Sequence, residues 1–148
     1  MKVVKETKRI PYHLLLDADP SLAHIEDYLK KGYCFVAREN QEVIGVYVLL
    51  KKNNTTVEIM NIAVKESYRG KGIGKKLIRH ALEKAVEFGG GNVEIGTGNS
   101  SLSQLALYQK CGFRITGIIE GFFEDYPEPI IEDGIHCRDM IRLSYRIK

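Results

Sequence analysis

Five basic side chains, Arg69, Lys71, Lys75, Lys76 and Arg79, fall within eleven residues that contain no acid. Three glycines, Gly70, Gly72 and Gly74, are interleaved with the first of them. Upstream, a β-prone run, Thr55–Val64, ends in Asn-Ile-Ala-Val; downstream, from Ile73, apolar residues recur at helical spacing. Strand, glycine loop and helix N-terminus in that order make an anion-binding device. Residues without side chains let the backbone approach a ligand, and the free N–H groups and dipole of the helix face its charge. A loop this basic suits a polyphosphate.

Spacing narrows the choice. The phosphate loop of nucleotide hydrolases needs a lysine and then a hydroxyl after its last glycine, but Lys75 is followed by Lys76. The dinucleotide pattern Gly-x-Gly-x-x-Gly would require glycine at Lys75 or at Leu77. What is present is Arg-x-x-Gly-x-Gly, carried by Arg69, Gly72 and Gly74. A second segment, residues 99–113, contains Leu-Tyr-x-x-x-Gly-Phe at Leu107, Tyr108, Gly112 and Phe113. Together these resemble the two signatures of the GNAT superfamily, the acetyl-CoA-dependent N-acetyltransferases. The resemblance is specific over residues 57–113 and looser over 43–145.

The resemblance implies acetyl-CoA as co-substrate, no metal, and direct attack of a primary amine within a ternary complex. It assigns the pyrophosphate to Arg69, Gly70, Lys71, Gly72, Ile73, Gly74 and Lys75. Backbone groups of Ile62, Ala63 and Val64 are expected to pair with the pantetheine amides and the thioester carbonyl. Tyr108 takes the place of the general acid, protonating a thiolate whose thiol has a pKa of about 8.5 in isolation. The alternative is a helix aromatic that only packs on the sheet. Many family members carry asparagine seven residues before this tyrosine and alanine four before it. Here those positions are Ser101 and Gln104, which read as a capping box, so Asn99 becomes the expected pantetheine contact.

An amine is protonated at neutral pH, so a base must take its proton before attack. Glu58 stands where many family members place that base. Strand alternation puts it on one face with Met60 and Ile62, an apolar setting that would raise its carboxyl toward usefulness. A solvated carboxylate at a strand edge is the competing reading, and His136 is the second candidate base. For the acceptor, Phe122, Phe123 and Tyr126 lie among acids, with His136 downstream. Aromatic walls and carboxylates suit a small cationic amine, although the same aromatics could close the core or form a dimer interface.

The elements that must position these residues follow from periodicity and turn signals. A short strand at Val3–Thr7 precedes a helix from Pro11 to Asp17 and a second helix capped by Asp19 with Pro20 at its first position. That helix buries Leu22, Ile25, Tyr28 and Leu29. Tyr33–Arg38, Val43–Lys51 and Thr55–Val64 read as an antiparallel meander. The helix from Gly72 presents Ile73, Leu77, Ile78, Ala81, Leu82, Ala85 and Val86 on one face and stops at Gly89–Gly91. Strand Asn92–Ile95, helix Ser101–Cys111, strand Phe113–Ile119 and strand His136–Ile147 complete the chain. The expectation is one α/β (α+β) domain, residues 1–148, with a single mixed, mostly antiparallel sheet flanked by helices: the GNAT-type acyl-CoA N-acyltransferase fold.

Composition agrees with a globular domain. The 148 residues are 44% hydrophobic and 28% charged. No apolar run approaches a membrane span and no signal-peptide core begins the chain, so no membrane association is expected. Three cysteines at unrelated spacings suggest neither a disulfide framework nor a zinc site, and point to a reducing cytoplasm. Between Ile115 and Gly134 there are six acids and no Lys or Arg, leaving 22 basic against 13 acidic groups elsewhere. A positive half can hold an anionic cofactor while a negative segment attracts a cation. No basic stripe with interleaved aromatics favours nucleic acid. Acetylation of a protein N-terminus or lysine would use the same cofactor half, and an acyl-CoA-binding module would use it without turnover. Pairing through the last strands is common in the family, so the resemblance leaves a homodimer open beside a monomer.

Overall fold

A computed structural model describes residues 1–147; Lys148, the end of the expected domain, lies outside the described residues. The chain runs β1 (Lys2–Lys5), α1 (Tyr12–Ala18), α2 (Leu22–Lys31), β2 (Tyr33–Glu39), β3 (Glu42–Lys51) and β4 (Thr56–Val64). After a 3₁₀ turn at Glu66–Tyr68 come α3 (Ile73–Glu87), β5 (Asn92–Gly98), α4 (Leu102–Lys110) and β6 (Arg114–Ile119), then β7 (Ile130–Glu132), β8 (Ile135–Cys137) and β9 (Met140–Arg146). Seven strands form one sheet in the order β1-β2-β3-β4-β5-β9-β6, and β7 and β8 form a separate hairpin. Among the described residues only the β4–β5 pair is parallel, because α3 must carry the chain back across the sheet between them. The sheet is mixed and mostly antiparallel, as expected.

Turn chemistry sets the meander. Asn40 and Gln41 both have positive φ between β2 and β3, the tight hairpin geometry that asparagine tolerates. Between β3 and β4 the Asn53 carboxamide oxygen accepts the backbone N–H groups of Thr55 and Thr56. Helices cover both faces of this meander, so β3 is buried continuously from Ile44 to Leu49 instead of alternating. On one face Tyr47, Leu49, Val57 and Ile59 pack with Leu77, Ile78, Ala81 and Ala85 of α3. On the other, Val36, Val46 and Val48 pack with Leu14, Leu15, Ile25 and Tyr28 of α1 and α2.

Several expectations change. Ser21, not Asp19, caps α2, its hydroxyl accepting the His24 N–H, while the Asp19 carboxylate accepts the Ser21 N–H. Leu22 and Val86 face solvent. Residues 136–147 are not one strand: Arg138 and Asp139 break them into β8 and β9, and β8 turns back on β7, a strand the sequence reading lacked. Ser101 forms no side-chain bond to the first turn of α4, so the capping box does not form. Its hydroxyl and that of the fully buried Ser100 both donate to one oxygen of Glu132, 2.9 and 2.8 Å away, clamping the β7–β8 hairpin to the start of α4.

Candidate active site

The glycine loop has the conformation its composition demands. Gly70 and Gly72 have φ of +78° and +79°, a left-handed backbone that side chains rarely adopt. Gly72 caps α3 without any side-chain bond, and no acid occupies the first turn of that 15-residue helix. Its N-terminal N–H groups therefore open onto a surface bearing the exposed Arg69, Lys71, Lys75, Lys76 and Arg79. Arg69 also braces the loop, its Nε donating to the Val64 carbonyl at 3.2 Å. A Cβ at Gly74 would lie 3.1 Å from Leu107 and 4.0 Å from Val64, so glycine there lets α3 close on α4 and on the end of β4.

Beside this loop the sheet splits. β4 and β5 pair only from Thr56 and Asn92 to Ile59 and Ile95. Both continue as strands, to Val64 and Gly98, without pairing further. The backbone of Ile62, Ala63 and Val64 thus faces a cleft on its β5 side while remaining bonded to β3 on the other. Strand backbone open on one edge is the feature that would hold amide groups of an extended ligand, and this site fits acetyl-CoA on that count. Tyr108, in the last turn of α4, is 3% exposed and packs near Phe113. Burial, with the nearby Cys111 adding to it, pushes its phenol well above the ordinary range, so the hydroxyl is protonated at neutral pH.

Glu58 lies on the other side of the sheet from Tyr108, and its surroundings differ from the expected ones. Val48 pairs with Asn61 and Leu49 with Ile59, leaving Met60 as the extra residue of a bulge. The bulge shifts the alternation. Ile62 and Val64 join the α3 side, while Met60 and Ala63 join the α1–α2 side. Glu58, between the α3-facing Val57 and Ile59, does not share a face with Ile62. Nor is its setting apolar: Arg142 Nη1 donates to Oε2 at 2.9 Å, and Lys52 Nζ lies 3.0 Å from Oε1. Glu94 completes the cluster, 3.3 Å from Arg142 and 3.7 Å from Lys52.

The segment after β6 folds over this second face. Phe122, Phe123 and Tyr126 cluster with ring centroids 4.9 and 5.3 Å apart, and His24 of α2 stands edge-on to Tyr126. Phe123 and Cys137 approach Gly98 of β5, where any Cβ would overlap the Cys137 sulfur. Tyr126 donates to Asp19 Oδ1 at 2.9 Å, and Tyr28 donates to Oδ2 at 3.2 Å while accepting from Asn61 Nδ2 at 2.8 Å. This chain of bonds, which the sequence reading missed, ties the segment after β6 to α2 and to β4 just past the bulge. Burial and the Asp19 charge push the Tyr126 hydroxyl up, keeping it a donor. Glu120, Glu124, Asp125, Glu128 and Asp133 are exposed around it.

Two further expected residues meet at the end of the β7–β8 hairpin. The Asn99 carboxamide accepts the N–H groups of Arg138 and Asp139 and donates to the His136 carbonyl, fixing the link between β8 and β9. His136 itself lies on the β7–β8 hairpin with an exposed side chain. Arg142, Lys52 and Glu94 were not among the expected site residues, although Arg142 and Glu94 are charges on strands whose alternate positions are apolar and Lys52 directly follows β3.

The Acetyltransferase (GNAT) family matches residues 3–113. The chain belongs to that family. It is an N-acetyltransferase of the GNAT type. It is 56% identical to the uncharacterized N-acetyltransferase YvbK of Bacillus subtilis (strain 168), over 94% of this chain and 90% of that protein. A GNAT family acetyltransferase from Elizabethkingia anophelis, solved with acetyl-CoA bound, superimposes with a TM-score of 0.96 at 48% identity, covering 99% of this chain and 97% of the other. Human N-acetyltransferase 8B is 34% identical over 75% of this chain, which spans about half, 51%, of that longer protein. Among the described residues no helix is long and apolar enough to cross a membrane.

Proposed function

We propose that this GNAT enzyme transfers the acetyl group of acetyl-CoA to a primary amine of a small, cationic molecule, by direct attack in a ternary complex. The split between β4 and β5 carries the reading. It joins the face of the glycine loop and Tyr108 to the face of Glu58 and the acidic, aromatic loop, so donor and acceptor can meet from opposite sides of one sheet.

Acetyl-CoA supplies an activated acyl carbonyl and a thiolate leaving group. The chain's own residues do the rest. Arg69 to Lys75 hold the pyrophosphate with the left-handed backbone at Gly70 and Gly72, the N-terminus of α3 from Ile73 through Gly74, and the side chains of Arg69, Lys71 and Lys75. The free edge at Ile62, Ala63 and Val64 pairs with the pantetheine arm and the carbonyl oxygen, and Asn99, just past the end of β5, is the further pantetheine contact. Glu58 takes the proton that the acceptor ammonium must lose. The amine nitrogen bonds the carbonyl carbon, and the carbon–sulfur bond breaks with its electron pair leaving on sulfur. Tyr108 gives its proton to that thiolate, and the second proton shed by the nitrogen as it becomes an amide restores the phenol. Phe122, Phe123, Tyr126 and His136 border the acceptor, whose charge is matched by the exposed acids beside them. The exposed edge strand β6, with Ile115, Ile118 and Ile119 outward, is the surface for a homodimer. The enzyme works in the cytoplasm.

Thiol release measured with polyamines, aminosugars and arylalkylamines, beside lysine and N-terminal peptides, tests this. Turnover with small cationic amines that is lost in Tyr108→Phe supports the proposal. Turnover with peptides alone would move the acceptor to proteins, and acetyl-CoA binding without turnover on any amine would reduce the chain to a binding module.

A further inference from the structure

The two cations on Glu58 are not equivalent. Arg142 stands on β9 directly opposite Gly96 of β5, and Glu58 stands one strand further on, beside Glu94. To reach Glu58 the guanidinium must lie across β5. It does so over Gly96, where a Cβ would sit 2.8 Å from Nη1 and 2.5 Å from the Met140 sulfur. Its two ends bond the two carboxylates, Nη1 to Glu58 and Nη2 to Glu94. Arg142 and Glu58 have side chains only 16% and 8% exposed, so this pair is fixed and shielded. Lys52 approaches the other oxygen of Glu58 from the β3–β4 turn, and its side chain is 43% exposed.

We propose that Arg142, reaching over Gly96, is a positioning residue that holds Glu58 Oε2, and that Lys52 occupies Oε1 until the acceptor ammonium replaces it. This rests on Glu58 being the base. A buried hydrogen-bonded pair resists exchange, because either partner left alone would be an uncompensated buried charge. A half-exposed lysine exchanges readily, its ion pair being partly screened by water. The carboxylate is thereby aimed by one cation and kept ready for a second. The ionisable groups packed about it are Lys52, Glu94 and Arg142. His13 and Asp17 of α1 are exposed and make no hydrogen bond or ion pair to it.

The test compares Arg142→Met, Arg142→Lys, Gly96→Ala and Lys52→Met with Glu58→Gln, reading kcat, acceptor KM and calorimetric acetyl-CoA affinity. Arg142→Met should lower kcat on the order of tenfold or more with acetyl-CoA affinity kept. Arg142→Lys should recover part of the rate, and Gly96→Ala should reproduce the loss by displacing the guanidinium. Lys52→Met should lower acceptor KM about threefold, the scale of one exposed ion pair. If Arg142→Met and Gly96→Ala keep kcat while Glu58→Gln is inactive, the positioning role is overturned. An active Glu58→Gln would instead overturn the base itself. An unchanged or raised acceptor KM in Lys52→Met removes lysine from the exchange.

Discussion

The two faces of the sheet are built by different means. On the cofactor face the glycine loop, α3 and the free edge of β4 are backbone features, set by residues adjacent in sequence. On the acceptor face the parts are held by side chains far apart in the chain: Arg142 on Glu58, Tyr126 on Asp19, Glu132 on Ser100 and Ser101. A backbone device tolerates change in most side chains around it, whereas a side-chain lattice can be re-tuned one residue at a time. On the proposed function, the cofactor is held by the backbone device and the acceptor by the side-chain lattice.

Substitutions can break that division. The largest effects belong where the faces meet. Tyr108→Phe and Glu58→Gln should each lower kcat by roughly 10²–10⁴-fold, the usual contribution of general acid–base catalysis, in assays at saturating acetyl-CoA. Next is Gly72→Val, a β-branched residue forced to φ of +79°. It should weaken acetyl-CoA binding about tenfold or more, through strain of roughly 1–3 kcal/mol at the loop. Acceptor KM at saturating acetyl-CoA should move little. Tyr126→Phe makes the converse change. Losing a hydrogen bond to a carboxylate should cost roughly 1.5–3 kcal/mol of stability, seen in denaturant melts, and raise acceptor KM with acetyl-CoA affinity intact.

The smallest effect is a pH dependence lodged in the cofactor half. His80 of α3 bonds the buried Tyr47 hydroxyl through Nδ1 at 2.7 Å. Burial, then the charge of Lys84, holds the imidazole below its ordinary pKa. Its folded-state value lies under the unfolded one, so protonation favours unfolding. The stability it carries is complete above about pH 6.5 and is lost as the pH falls below that. His80→Gln should flatten the melting temperature over that acid range, while acceptor-face variants should leave the slope alone.

The same contrast explains what could be read from the sequence. Arg69, Gly72 and Gly74, the strand before them and the helical stripe after them are local patterns, and the structure places them as expected. So are Asn40-Gln41 and Asn53 at the turns. The bulge at Met60 left no local mark, yet it reversed the faces of Ile62 and Ala63 relative to Glu58. Ser101-x-x-Gln104 had the form of a capping box, but Glu132, thirty-one residues later, drew the serine away. Asp19 looked like a cap and instead gathers two tyrosines. Arg142 stood in plain view on β9, but its partners lie on other strands, and only the sheet order β4-β5-β9 brings them together.

Calorimetric titration of acetyl-CoA into the wild type, Glu58→Gln and Gly72→Val tests the division most directly. The account predicts that wild type and Glu58→Gln bind alike and that Gly72→Val binds at least about tenfold more weakly. A silent wild type, or affinity lost in Glu58→Gln and kept in Gly72→Val, would contradict it.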